Sequence, residues 1–154
     1  MSCLNKRELS LNEMIPVINE RLAIGGEVQI SPKGCSMLPM LRQGRDSVVL
    51  AKAPEKLKKY DIPLYQRHDG KYVLHRVIKV KNNYTCMGDN QFIEEKDVEH
   101  CQIIAYVTAF YRDNKRYNIN NPIYKAYCRL WVNSKRLRIL FKKIKRRIKR
   151  IIKK

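Results

Sequence analysis

Apolar positions fall near one face of a helix between residues 6 and 24, where Leu9, Met14, Ile15, Ile18 and Leu22 recur at close to helical spacing. Pro16 interrupts this segment and either kinks one helix or starts a second. Gly25-Gly26 closes it. The pattern then shortens to strand-like runs. EVQIS (27–31), SVVLAK (47–52), IPLYQR (62–67), KYVLHRVIKV (71–80), YTCMG (84–88) and QIIAYVTAFYR (102–112) read as strands. The intervening SPKG, APEKLKKYD, HDG, KNN and DNK read as turns or loops. From Ile123 onward Gly and Pro are absent, and Leu137, Leu140, Phe141, Ile144, Ile148, Ile151 and Ile152 form one stripe of a helix. The pattern predicts a mainly β (α+β) chain. Its parts are an N-terminal helical segment (1–26), a β-rich domain (27–121) and a basic amphipathic helical tail (122–154).

Charge sharpens the reading of the tail. The chain has 154 residues and a net charge of +19, yet residues 135–154 hold twelve Lys and Arg and no acid. A mildly basic body therefore carries a strongly basic helix, which calls for an anionic partner. A membrane surface is the first expectation, with Trp131, Leu137, Leu140, Phe141, Ile144 and Ile148 on the lipid side and Tyr124 and Tyr127 as further interfacial aromatics. Packing of the stripe on the β domain is the second, and nucleic acid the third. No run of about 18 apolar residues is present to span a bilayer, and the N-terminal stretch has no apolar core of a signal peptide. The expectation is a cytoplasmic protein, at most peripheral at the inner face of a membrane.

Five scattered cysteines (Cys3, Cys35, Cys86, Cys101, Cys128) form no CxxC pair, so they read as free thiols, and neither a metal site nor a cofactor is expected.

Three short stretches carry candidate chemistry: Gly34-Cys35-Ser36-Met37-Leu38-Pro39-Met40-Leu41, followed by Gly44 and Asp46; Leu74-His75-Arg76-Val77; and Met87-Gly88-Asp89-Asn90. A serine hydroxyl needs a base to take its proton before it attacks. Histidine suits that task because its ordinary pKa is about 6.5. A turn opening onto a strand can aim backbone N–H groups at a developing oxyanion, and a carboxylate can fix the imidazole tautomer. Taken singly, each stretch has a plainer reading: a turn serine, a packed core histidine, an Asp turn.

Taken together and in this order, the stretches resemble the signal peptidase and SOS-repressor-type serine peptidases. SMLPMLRQG matches their S-M-x-P-x-L-x-x-G nucleophile box, YDIPLY the following strand, YVLHRVIKV the base strand and MGDN the G-D-N box. The resemblance covers roughly residues 27–112. It implies a coiled antiparallel sheet, Ser36 as nucleophile, His75 as general base and the backbone N–H groups of Ser36 and Cys35 as oxyanion donors. Gly34, Met37, Pro39, Gly44, Arg76 and Gly88 then belong to the motif. Three departures stand out. Tyr60 replaces a usual Gly, Gly34 replaces a hydroxyl residue, and His75 stands where bacterial signal peptidases and SOS repressors carry Lys. An orienting acid is implied beyond the G-D-N box. Asp89 has the firmer motif match, and spacing favours Glu94 or Glu95. His68 and His100 read as surface residues. The expected activity is a serine endopeptidase acting on a leader or precursor peptide. The competing reading is a non-catalytic regulatory or binding protein that uses the basic tail.

Overall fold

In the computed structural model, residues 11–135, 137–141 and 144 are described. Cys3, Leu9, Ile148, Ile151 and Ile152 lie outside them. The first element, α1 (Leu11–Ala23), buries Ile15, Ile18 and Leu22, three positions at steps of three and four. It runs through Pro16 as one helix. Its end is a two-bond cap: Gly26 N–H donates to Arg21 O at 3.0 Å and Gly25 N–H to Leu22 O at 3.1 Å, with Gly25 at φ +76°. A side chain with a Cβ rarely adopts that backbone, so the glycine pair stops the helix.

The strands are β1 (Val28–Ile30), β2 (Asp46–Ala51), β3 (Pro63–Gln66), β4 (Tyr72–Leu74), β5 (Arg76–Val80), β6 (Tyr84–Met87), β7 (Glu95–Val98), β8 (Ile103–Arg112) and β9 (Lys115–Asn118), with a 3-10 turn at His100–Gln102. They form two sheets. One runs β1-β2-β8-β3-β4 with β9 added on β8, and the other runs β5-β6-β7. Every pairing is antiparallel. The protein is thus α+β. The main core lies between α1 and the larger sheet, around Ile18, Leu22, Ile30, Leu50, Leu64 and Val107. A second core joins Leu57, Tyr65, Val77, Tyr84, Cys86 and Val98.

The run 71–80, expected as one strand, is two. β4 pairs with β3 in the larger sheet and β5 with β6 in the smaller. His75 is the residue between them. Its N–H reaches Pro63 O at 3.4 Å, while Val77 N–H has moved on to Asp61 O at 2.8 Å. The continuous apolar pattern hid the break because the residues on both sides of His75, Tyr72–Leu74 before it and Arg76, Val77 and Ile78 after it, are buried or half-buried. β7 and β9 were not expected either. Their sequences, EKDV and KRYN, are polar and show no alternation. Pairing with a neighbouring strand decides them.

The last element, α2 (Pro122–Asn133), starts with Asn121 Oδ1 accepting from Ile123 N–H at 2.8 Å and with Pro122 in the first turn. Helical backbone resumes at residue 135 and covers 137–141 and 144. This helix has two different faces. Tyr124, Tyr127, Cys128 and Trp131 turn toward the β domain, with Tyr127 and Trp131 stacked at 5.8 Å. Trp131 therefore does not belong to the outer stripe. Its indole N–H donates to Asp89 O at 3.0 Å, and the Arg138 guanidinium sits 4.1 Å from its ring centre. Tyr124 is likewise inward, its hydroxyl accepting from Arg76 at 2.9 Å. On the outer face Ile123, Leu130, Leu137 and Ile144 recur every seven residues, and all are exposed, as are Leu140 and Phe141. Among the described residues no helix is long and apolar enough to cross a membrane.

Candidate active site

Ser36 sits in a tight turn between β1 and β2. Leu38 N–H donates to Cys35 O at 3.2 Å and Leu41 N–H to Met37 O at 2.9 Å. Met37, Met40 and Leu41 are buried and root the turn in the main core, while Cys35 and Pro39 stay exposed. Gly34 N–H donates to Gln43 Oε1 at 2.6 Å. Gly44 then leads the chain into β2. There Asp46 is buried and accepts from Arg42 N–H at 2.9 Å, from Arg45 at 2.8 Å and from Arg112 at 3.2 Å. Burial pushes the Asp46 carboxyl up, but the Arg45, Arg42 and Arg112 bonds outweigh it and bring it down to about 2.

The 88–90 turn clamps the serine turn from the other side. Asn90 N–H donates to Ser36 O at 2.8 Å, and its side-chain amide to Cys35 O at 3.1 Å. Gly88 is required by this approach, since a Cβ there would lie 2.7 Å from Ser36 O. With their carbonyls held this way, the Cys35 and Ser36 N–H groups make no hydrogen bond among the described residues.

His75 is 2% exposed at the junction of the two sheets. Its Nδ1 lies 3.0 Å from Glu95 Oε1. Glu95 is in turn held by the Tyr65 hydroxyl at 2.7 Å and by the Arg67 Nε at 2.8 Å, with a second Arg67 nitrogen on its other oxygen. Burial raises the Glu95 carboxyl, and the Arg67 and Tyr65 hydrogen bonds then pull it below the ordinary value. Burial pushes the Tyr65 phenol well up, so it stays protonated and donates. An ionised Glu95 fixes the imidazole proton on Nδ1 and leaves the lone pair on Nε2. His75 itself lies below its ordinary pKa. Burial lowers it, and the nearby Glu95 charge only partly offsets that. The ring is thus a neutral base at pH 7.

Of the three acids left open by the sequence, geometry puts one on the imidazole. Asp89 is not that one. It is buried against Arg76, accepting two bonds at 2.8 and 2.7 Å, and its backbone oxygen takes Trp131 and Arg138. Arg76 is fully buried and also donates to Tyr60 O at 3.1 Å, so this pair ties the base strand to the 88–90 turn and to α2. Glu94 points to Lys79 at 3.2 Å and Lys135 at 2.8 Å. The motif match drew attention to Asp89 because the G-D-N turn is indeed a structural hub. Tyr65 and Arg67 escaped the sequence reading. The available signal was their spacing of two along the strand-like run IPLYQR, which puts both on one side of it.

Ser36 and His75 line the same cavity of about 280 Å³. Among the described residues no hydrogen bond joins the hydroxyl to the imidazole. The cavity is also bordered by Ile30 from β1 and by Tyr72, Val73 and Leu74 from β4, both edge strands of the larger sheet. His68 and His100 are exposed and do not line it, His100 meeting the Tyr84 hydroxyl at 3.1 Å. Cys35, Cys86, Cys101 and Cys128 are free thiols. Among the described residues no three His, Cys, Asp or Glu side chains gather as a metal site.

No family model matches the chain, and no curated protein matches it.

Proposed function

We propose that the protein is a serine endopeptidase of the signal peptidase and SOS-repressor type, with Ser36, His75 and Glu95 as its catalytic set. The observation that carries the reading is the placement of Ser36 on one cavity wall with a buried imidazole whose Nδ1 is held by a carboxylate.

In the mechanism, His75 Nε2 takes the proton of Ser36 Oγ as the oxygen attacks the scissile carbonyl carbon. The Glu95 carboxylate stabilises the imidazolium that forms, and Arg67 and Tyr65 hold that carboxylate in place. The Ser36 and Cys35 N–H groups receive the developing oxyanion. The C–N bond then breaks, the imidazolium protonates the leaving amine, and Ser36 carries the acyl group. Water, deprotonated by the same imidazole, attacks the ester and restores Ser36. An extended substrate lies along the open edge of β1 or β4, where unpaired backbone groups can accept another strand.

The tail is a peripheral anchor on an anionic membrane surface. Its support is the exposed outer stripe of α2 and its continuation, together with the twelve basic residues and no acid of 135–154. The test of the peptidase reading is incubation of the pure protein with a peptide library. Cleavage products appear with wild type and are absent with Ser36→Ala. Equal cleavage by both proteins removes the nucleophile assignment.

A further inference from the structure

We infer that Trp131 and Arg138, on the inner face of the C-terminal helix, are positioning residues that aim the Ser36 N–H at the oxyanion. This rests on the peptidase reading and adds to it a part of the chain that the catalytic set does not include.

The link runs through two peptide groups. A peptide unit is planar and trans, so holding its oxygen fixes where the N–H on its other side points. The first unit joins Asp89 to Asn90. Its oxygen accepts from the Trp131 indole at 3.0 Å and from the Arg138 guanidinium at 2.8 Å. Those two donors occupy both lone pairs of the carbonyl. Its N–H, that of Asn90, donates to Ser36 O at 2.8 Å. The second unit joins Cys35 to Ser36. Its oxygen accepts from the Asn90 side-chain amide at 3.1 Å. Its N–H is that of Ser36, the proposed oxyanion donor. Asn90 therefore carries the hold of the helix over to the serine turn.

The hold is firm at each step. Trp131 and Arg138 are seven residues apart, so they share one side of the helix. Arg138 is itself fixed, because a second nitrogen donates to Trp131 O at 2.9 Å and the guanidinium lies over the Trp131 ring. Asp89 is gripped by its side chain as well, through the buried Arg76 at 2.8 and 2.7 Å. The two turns touch closely enough that a Cβ on Gly88 would lie 2.7 Å from Ser36 O, so no gap absorbs a shift of the 88–90 turn. Donors on Asp89 O also polarise that amide and strengthen its bond to Ser36 O. Aim matters here because an oxyanion donor works only at about 2.7–3.1 Å from where the charge develops.

The test compares wild type with the double variant Trp131→Phe/Arg138→Met on one soluble peptide. Phe keeps a ring against Tyr127 and Met keeps part of the Arg138 stem, so the donors go and most of the packing stays. With the fold checked by circular dichroism, kcat should fall at least about tenfold, since outright loss of an oxyanion donor costs about 10²–10³-fold. KM should stay within about twofold, because the interaction is made in the transition state only. The pH midpoint should not move, since neither residue touches His75. A folded double variant with wild-type kcat, a loss confined to KM, or a displaced midpoint overturns the inference and leaves the nucleophile assignment standing. If the double variant does not fold, Arg138→Met is read against Arg138→Lys, which keeps a charged donor. A lower kcat in Arg138→Met supports the inference, and equal kcat in the two overturns it. If wild type cuts no peptide, the peptidase reading falls on its own, and amide NMR decides the link: a displaced Ser36 amide resonance in the variant supports it, and an unmoved one overturns it.

Discussion

Replacing Glu95 with Gln removes one charge from the proposed catalytic set. The carboxylate lies 3.0 Å from His75 Nδ1, and the ring is almost fully buried. Two unit charges about 4 Å apart interact by about 4 kcal/mol at the effective dielectric of such sites. That attraction exists only while the ring is imidazolium, so it is a transition-state term. The amide retains a hydrogen-bonding oxygen, which recovers part of it. Against that, the Arg67 guanidinium, now without its carboxylate, repels the imidazolium. A net loss of about 3–4 kcal/mol corresponds to about 10²–10³-fold in kcat/KM, at 1.36 kcal/mol per tenfold. The pH profile supplies an independent signature. In the proposed mechanism the neutral ring is the active form, and its pKa is depressed, so activity should rise with pH and reach half-maximum below 6.5. Without the Glu95 charge protonation is harder still, and the midpoint should move to lower pH. The assay is kcat/KM for one peptide between pH 4.5 and about 8, in a salt-matched buffer series. A Glu95→Gln enzyme within about threefold of wild type, with an unmoved midpoint, refutes the assignment. Glu94→Gln is the control. Its partners are Lys79 and Lys135 rather than the imidazole, so kcat/KM and the midpoint should stay near wild type.

Other consequences reach beyond the catalytic set. Asp89→Asn leaves the buried Arg76 charge without its carboxylate and should cost about 3–5 kcal/mol of stability, read by urea unfolding; a loss under 1 kcal/mol would mean that the pair is not the hub described here. Tyr60 occupies φ +84°, a backbone region that costs a side chain roughly 1 kcal/mol or more, so Tyr60→Gly should be more stable than Tyr60→Ala by about that amount, and the reverse order would contradict the strain. Leu137→Glu with Phe141→Glu should weaken binding to anionic vesicles at least tenfold while leaving cleavage of a soluble peptide unchanged; equal binding of wild type to neutral and anionic vesicles would remove the anchor.

How legible the molecule was in its sequence depends on which force sets each element. α1, β2 and β8 follow from apolar spacing, because each buries a face against the same core. The serine turn was visible as a string of small and apolar residues with Pro39 and Gly44. The break at His75 was invisible, since Leu74 and Val77 are both apolar and only their partners in two different sheets separate them. β7 was invisible for the opposite reason. Its polar residues give no periodicity, yet that strand brings Glu95 to the imidazole. Asp89 and Glu95 are six residues apart, both acidic and both near the base strand in sequence. Only the pairing of β6 with β7 shows that one meets Arg76 and the other His75. The inward aromatic face of α2 was masked by the charge around it, because Trp131 and Tyr124 find their partners, Asp89 and Arg76, far away in the chain.

The central claim is that Ser36 forms a covalent acyl intermediate with His75 as its base. Intact-mass analysis of the protein, acid-quenched during turnover of an activated peptide ester, tests it most directly. One added acyl group is expected, mapped by digestion to Ser36, absent in Ser36→Ala and strongly reduced in His75→Ala. An unmodified protein during turnover, or an acyl group found on the neighbouring exposed thiol of Cys35, would contradict it.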